Sequence, residues 1–338
     1  MSQETYPDFS GTVAGEASHN IFRHTEMPVL AVVIPCYNEA EALPLTMPRL
    51  LEVLDTLVDS KKISPSSYVL CVDDGSKDDT WQCILDLHKK DHRVRGAALT
   101  HNRGHQYALL AGLMTAAPHC DAAVSIDADM QDDPRAIIEM TDCFRNGAEV
   151  VYGVRRSRAT DTWFKRNSAR AFYKLQNAMG LQSIYDHADY RLMSSRALGI
   201  LSQYREQNLF LRGIVPLIGL QTAIVRYDRH ERVAGDSKYP LAKMLAFSVD
   251  GITSFSAKPL RWIFMIGLGL LVTDIAVAVY VLCSYFGGDT ISGWSSIMLS
   301  IWFLGSLILM AIGVVGEYVG KVFTEVKARP RFNIRETI

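Results

Sequence analysis

Apolar and polar positions fall into two regimes along this chain, and the change comes near Trp262. Before it, short apolar runs alternate with stretches of helical spacing. Residues 29–34 are continuously apolar, as a strand covered on both faces requires. Residues 41–60 then place Leu43, Met47, Leu50, Leu51, Leu54 and Leu57 at helical intervals. Further strands are predicted over 68–72, 95–100, 122–124 and 149–153. Thr80 is placed to cap one helix, and 106–117 forms another. Strand and helix in turn predict an open, doubly wound α/β sheet, assigned to residues 28–238.

Beyond that point the pattern becomes one of long apolar blocks. Residues 262–286 are apolar except for Asp274, and 294–316 carry no charge. Each reaches the length of about 20 residues needed to cross a hydrocarbon layer. A two-helix transmembrane hairpin is therefore predicted within 260–320. An interfacial segment, 239–259, precedes it, and a basic tail, 321–338, follows. Lys258 and Arg261 stand before the first block, and Lys321, Lys327, Arg329, Arg331 and Arg335 after the second. The loop 287–293 has no Lys or Arg, so both ends are expected in the cytoplasm and the loop outside. Asp274 is costly in a span unless paired or wetted; an oligomer contact and a polar neighbour both fit.

Composition changes this picture only by exclusion. The 35 basic residues against 36 acidic ones give no nucleic-acid footprint. The six cysteines show no C-x-x-C pair and read as small apolar residues of a reducing compartment. Residues 1–27 are polar, lack an apolar segment of signal-peptide type, and read as a flexible extension. Trp163, Phe164, Phe172 and Tyr173 among Lys165, Arg166, Arg170 and Lys174 fit a helix lying on anionic lipid, or an ordinary packed helix.

The candidate chemistry sits where the strands end. Glu39, Asp73, Asp74, Asp127 and Asp129 all follow apolar runs, and ligands of open α/β sheets bind beyond the carboxyl ends of strands. Neither G-x-G-x-x-G nor G-x-x-x-x-G-K-[ST] is present. An acidic edge suits a metal–diphosphate and sugar hydroxyls better than a bare anion. Asp127 and Asp129, two apart, suit a hard cation such as Mg²⁺ or Mn²⁺ shared with phosphates. The alternative is an acidic turn that solvates a strand end. His101, His105 and His187 read as hydrogen-bonding residues.

Pro35-Cys-Tyr-Asn-Glu39, Val72-Asp-Asp-Gly-Ser76 and Asp127-Ala-Asp-Met-Gln131 resemble the successive signatures of family 2 glycosyltransferases, which have the GT-A fold. Phe210-Leu-Arg-Gly213, Arg232-Val-Ala-Gly-Asp-Ser-Lys238 and Gly316-Glu-Tyr-Val-Gly320 extend the resemblance to the polyprenyl-phosphate branch, with its bactoprenol glucosyltransferases and dolichol-phosphate mannose synthases. The resemblance implies a nucleotide-sugar pocket of Pro35, Tyr37, Glu39, Asp73, Asp74, Asp127, Ala128 and Asp129. It implies a divalent metal held by Asp127, Asp129 and Gln131. Asp189 matches the position suggested as base, with Asp186 as a nearby alternative and Arg191 beside it. Arg232 and Lys238 match positions that meet the acceptor phosphate. Ala188 stands where the family more often has Gly.

The expected activity is inverting transfer of a hexose, glucose from UDP-glucose first, onto polyprenyl (undecaprenyl) phosphate at the cytoplasmic face of a bacterial plasma membrane. GDP-mannose or another UDP-sugar remains open as donor. A processive polysaccharide synthase is disfavoured, because no Q-x-x-R-W motif occurs. A non-enzymatic membrane scaffold is disfavoured because the carboxylates are all in place.

Overall fold

A computed structural model of the chain describes residues 27–129, 131–155, 187–228 and 293–338, with scattered helical positions between 260 and 279. The elements are β1 (Leu30–Cys36), α1 (Leu43–Asp59), β2 (Tyr68–Asp73), α2 (Thr80–Lys90), β3 (Val94–Leu99), α3 (His105–Ala116), β4 (Ala122–Ser125), α4 (Ala136–Arg145), β5 (Val150–Arg155), β6 (His187–Ser194), α5 (Ser195–Leu201), α6 (Leu211–Leu217), β7 (Thr222–Tyr227), α7 (Trp294–Lys327) and β8 (Ile334–Thr337).

The strands form one sheet in the order β7-β5-β6-β4-β1-β2-β3-β8. β1 is central, and every residue in it is buried. Successive side chains of a strand point to opposite faces. Leu30, Val32 and Ile34 accordingly join the core under α1, α2 and α4. Ala31 and Val33 join the core under α3, α5 and α6. The strands expected from apolar runs are present with ends shifted by a residue or two. β1, β2, β3 and β4 are mutually parallel, as the alternation implied.

Three strands were not expected, and they make the sheet mixed. β6 runs antiparallel between β4 and β5. β7 pairs parallel with β5 at one edge. β8 pairs antiparallel with β3 at the other, opposing Leu99 to Ile334 and Ala97 to Thr337. The expected basic tail over 321–338 is therefore corrected. α7 runs on through Lys327, Ala328 turns left-handed at φ 43°, and the chain returns to the sheet. The count of basic residues concealed Phe332, Ile334 and Ile338, of which Phe332 and Ile338 pack against the cores.

Thr80 does not cap α2; it is the first residue of that helix. Its hydroxyl accepts the Glu39 N–H at 2.8 Å and lies 2.5 Å from Asp78 Oδ1. α7 is 34 residues long. Its part Phe303–Lys327 has mean hydropathy 1.8, none of it is buried, and among the described residues it is the one helix long and apolar enough to cross a membrane. The expected first span, 262–286, falls in good part outside the described residues, Asp274 included. So do the extension up to residue 26, the aromatic–basic segment 163–174 and Cys283. Cys36, Cys71, Cys83, Cys120 and Cys143 are free thiols.

Candidate active site

The loops that leave β1 and β2 are laced together. The Asp74 N–H donates to the Cys36 carbonyl at 2.8 Å, and the Asn38 N–H to Ser76 Oγ at 3.0 Å. Asn38 Oδ1 accepts the Lys77 N–H at 2.8 Å, and Asp73 Oδ1 the Ser76 N–H at 3.0 Å. Gly75 is the hinge of this arrangement. Its φ is +64°, and a Cβ there would stand 2.7 Å from the Asn102 nitrogen, so only glycine lets the 101–104 loop come this close.

That approach completes the seat of Asp74. Its two oxygens accept the N–H groups of Arg103 at 2.7 Å and Gly104 at 2.8 Å. Burial raises the Asp74 pKa, and the two N–H groups offset only part of that. Tyr37 stands 41% exposed, Glu39 is half-buried, and Pro35, Asp73 and Asp74 are buried. The structure thus brings the expected nucleotide residues to one sheet edge, with Asp73 and Asp74 building loops.

A second group gathers where β4 ends. Thr46 Oγ1 on α1 donates to the carbonyl of buried Ala128 at 2.8 Å and fixes the Asp127–Asp129 segment. Asp129 Oδ1 accepts the Gln131 N–H at 3.2 Å. Ser125 Oγ donates to the Asp189 carbonyl and ties β4 to β6. His105, the first residue of α3, stands with Nε2 at 3.7 Å from both Asp127 Oδ1 and Asp189 Oδ2. Burial works against its charged form, but the two carboxylates outweigh it and raise its pKa.

Asp189 is held from several sides. Arg191 Nη2 lies 2.5 Å from Oδ1. Arg212 donates Nε to Oδ1 at 3.2 Å and Nη2 to Oδ2 at 3.0 Å, and Gln106 Nε2 donates to Oδ2 at 3.2 Å. Burial alone would raise the Asp189 pKa; His105, Arg191 and Arg212 together hold it well below the usual carboxylate range. A carboxylate held this way is a poor proton acceptor and a good anchor for the two guanidinium groups. Asp186, Arg232 and Lys238 lie outside the described residues.

Asp127 has the opposite environment. Its side chain is 40% exposed yet recessed among Asp129, Asp132 and Asp189. Burial first, with those neighbours adding to it against His105, pushes its pKa up to about 6. His105 offsets only part of the negative charge gathered here, and the oxygen donors suit a hard cation. Among the described residues no three His, Cys, Asp or Glu side chains form a metal cage. Two carboxylates with coordination positions left open fit a divalent ion shared with a diphosphate, the usual arrangement for Mg²⁺.

Six neighbours of this site were not singled out by sequence as site residues, or were given no role. His105, Gln106 and Arg212 surround Asp189. Asp132, Arg155 and Tyr227 lock the loop after Asp129. Asp132 is 2% exposed and accepts Arg155 Nη2 at 2.9 Å and the Tyr227 hydroxyl at 2.7 Å. The Tyr190 ring meets Tyr227 edge-on with centroids 5.1 Å apart, and its hydroxyl donates to the Asp133 carbonyl at 2.9 Å. Phe210-Leu-Arg-Gly213 was the one motif that could have pointed to Arg212.

Residues 31–200 match the family model described as Glycosyl transferase family 2. The chain is 50% identical over 307 residues to the uncharacterized glycosyltransferase YkoT of Bacillus subtilis (strain 168), covering 91% of each chain. It is 36% identical over 314 residues to the bactoprenol glucosyl transferase of Shigella phage SfII, covering 91% of this chain and 98% of that one. It is also 36% identical over 311 residues to the prophage bactoprenol glucosyl transferase homolog of Escherichia coli (strain K12), covering 90% of this chain and 98% of that one.

Proposed function

This chain belongs to glycosyl transferase family 2, and we propose that it moves glucose from UDP-glucose onto a polyprenyl phosphate at the cytoplasmic face of a bacterial plasma membrane. It is a glycosyltransferase with a mixed α/β, GT-A-like sheet. The relatives named for bactoprenol glucosyl transfer support the lipid acceptor and the glucose donor.

One observation carries the membrane reading: the exposed apolar helix α7 ends against the loops of the site. Glu325 in its last turn accepts the N–H of Gln207 and Asn208, and Arg103 donates to the carbonyls of Pro330 and Arg331. A phosphate at the water boundary of a bilayer crossed by α7 would sit beside the cleft. Sheet topology also bears on the number of spans. Residues before 228 and the strand β8 share one sheet, which supports an even number of crossings between them if α7 is one. In this reading the second is the apolar stretch 262–286, with the loop 287–293 outside.

In the proposed reaction an oxygen of the lipid phosphate attacks the anomeric carbon. The bond from that carbon to the diphosphate oxygen breaks, the nucleoside diphosphate leaves with the electron pair, and the configuration inverts. A phosphate monoester has a second pKa of about 6, so at neutral pH the nucleophile is already largely a dianion and no base need deprotonate it. This agrees with an Asp189 committed to Arg191 and Arg212. Arg212, with Arg232 and Lys238, would draw the anionic acceptor towards an otherwise acidic centre. Asp127 and Asp129, with Gln131, would hold Mg²⁺ or Mn²⁺, whose charge stabilises the departing diphosphate.

The test is turnover of the full-length protein with undecaprenyl phosphate and a panel of nucleotide-sugars, followed by mass spectrometry of the lipid. Glucosyl phospholipid from UDP-glucose is the expected product. Transfer from GDP-mannose alone would replace the donor, and transfer only to water-soluble acceptors would overturn the reading.

A further inference from the structure

Glu325 does more than end a helix. Its two oxygens accept the Gln207 N–H, each at 2.9 Å. Oε1 also accepts the Asn208 N–H at 2.8 Å and the Asn208 Nδ2 at 3.2 Å. On the other side the Gln207 carbonyl accepts the Tyr107 hydroxyl from α3. The 207–208 backbone is thus gripped between the last turn of α7 and α3.

A few residues further on, the same segment becomes the wall of the site. The Leu211 N–H donates to Gln106 Oε1 at 3.1 Å, and the Leu211 carbonyl accepts Arg191 Nη1 at 3.3 Å. Arg212 then clamps Asp189. Gln106 itself donates to Asp189, so the partners of 211–212 are the groups that hold that carboxylate. α6 has only two turns and cannot set its own position. Its entry is fixed from outside, by hydrogen bonds to a charged acceptor, which are stronger than those between neutral groups.

We infer that Glu325 is a positioning residue for the transfer reaction: by fixing the 207–208 backbone it sets where Arg212 and Leu211 hold Asp189, Arg191 and Gln106, and so couples the seat of α7 to the geometry of the site. This rests on the glycosyl-transfer reading above. The amide in Glu325→Gln is nearly the same size, yet it offers one acceptor oxygen where two are used and turns a donor towards N–H groups. Glu325→Asp keeps two acceptor oxygens on a shorter stem.

The experiment uses the full-length protein in lipid nanodiscs with UDP-glucose and undecaprenyl phosphate, and reads kcat, both KM values, thermal stability and amide hydrogen exchange. In Glu325→Gln, kcat should fall by between about tenfold and about a hundredfold, the size of effect expected from a small misplacement. The UDP-glucose KM should stay within about twofold, because Asp74 and its loop are held by Arg103. Exchange should quicken at 207–214. Glu325→Asp should recover part of the lost kcat, and in an Arg212→Ala background Glu325→Gln should cost little more, since it acts through Arg212. A lowered melting temperature with unchanged kcat would reduce Glu325 to a structural contact and overturn the inference; so would unchanged exchange at 207–214. If the unaltered protein transfers no sugar to the lipid, the reading of its activity fails on that result. The exchange arm then still decides whether Glu325 fixes the Arg212 segment.

Discussion

Arg191 Nη2 stands 2.5 Å from Asp189 Oδ1, and both side chains are almost wholly buried. Burial lowers the Arg191 pKa even with this partner, so removing the partner leaves a costly charge. Asp189→Asn is expected to destabilise the fold by roughly 3–5 kcal/mol, the usual consequence of breaking a buried pair from one side. Chemical denaturation of the two proteins measures it. The pH dependence has a definite sign. A folded pKa held below the unfolded value of about 3.9 contributes in full above that value and is lost as pH falls through the folded pKa. The stability gap between the two proteins should therefore be widest at neutral pH and close in acid. A gap that stayed constant down to strongly acidic pH would refute the assignment.

Asp127 calls for the reverse. Its pKa is pushed up to about 6, first by burial, so at neutral pH it is still largely ionised, and holding that charge costs the fold free energy. Asp127→Asn should abolish most transfer and yet, in metal-free buffer, melt no lower than the unaltered protein. Added Mg²⁺ or Mn²⁺ with UDP should raise the melting temperature of the unaltered protein, because a ligand that binds only the folded state stabilises it. The variant should respond little. A variant that melted lower without metal and still bound metal with UDP would place the cation elsewhere.

The topology prediction follows from α7 and β8. A single cysteine placed in the loop 287–293 should react with a membrane-impermeant thiol reagent added to intact cells. One placed at Arg329, just past the end of α7, should react only after lysis. The reverse pattern would contradict the charge asymmetry, and identical labelling of the two sites would contradict a crossing by α7 between them.

The residues that sequence made legible are those that follow a strand directly. Glu39, Asp73, Asp74, Asp127 and Asp129 each come just after an apolar run, so a local pattern locates them. The groups that it missed reach the site across the fold. Arg212 lies 23 residues from the Asp189 it clamps, and Gln106 lies 83 from it. Asp132, in the motif's own loop, owes its meaning to Arg155 and Tyr227, which arrive on β5 and β7. β6 lies antiparallel between two expected strands, where no turn signal next to β4 announces it. β8 was hidden by the basic residues around it, though Ile334 begins it and the flanking Phe332 and Ile338 pack against the cores.

The last prediction concerns which cations meet the acceptor. Arg212 spends Nε and Nη2 on Asp189, and its side chain is still 38% exposed. A guanidinium has five donors in a fixed fork, so Arg212 can hold Asp189 and offer further N–H groups to a phosphate. Lysine has a single ammonium and cannot reproduce both roles. Arg212→Lys is therefore expected to lose nearly as much turnover as Arg212→Ala, of the order of ten- to a hundredfold for the loss of charge-assisted bonds. Arg232→Ala should act differently, raising the apparent KM for lipid phosphate and lowering turnover while UDP-glucose binding changes little. Steady-state kinetics with a short-chain polyprenyl phosphate, beside a separate nucleotide titration, separates the two. If Arg232→Ala abolished nucleotide binding and left the lipid KM unchanged, Arg232 and Lys238 would belong to the donor diphosphate. Arg212 would then be the remaining candidate for the acceptor. If Arg212→Lys retained full turnover, its donors would serve only Asp189, and the acceptor site would have to be sought beyond the clamp.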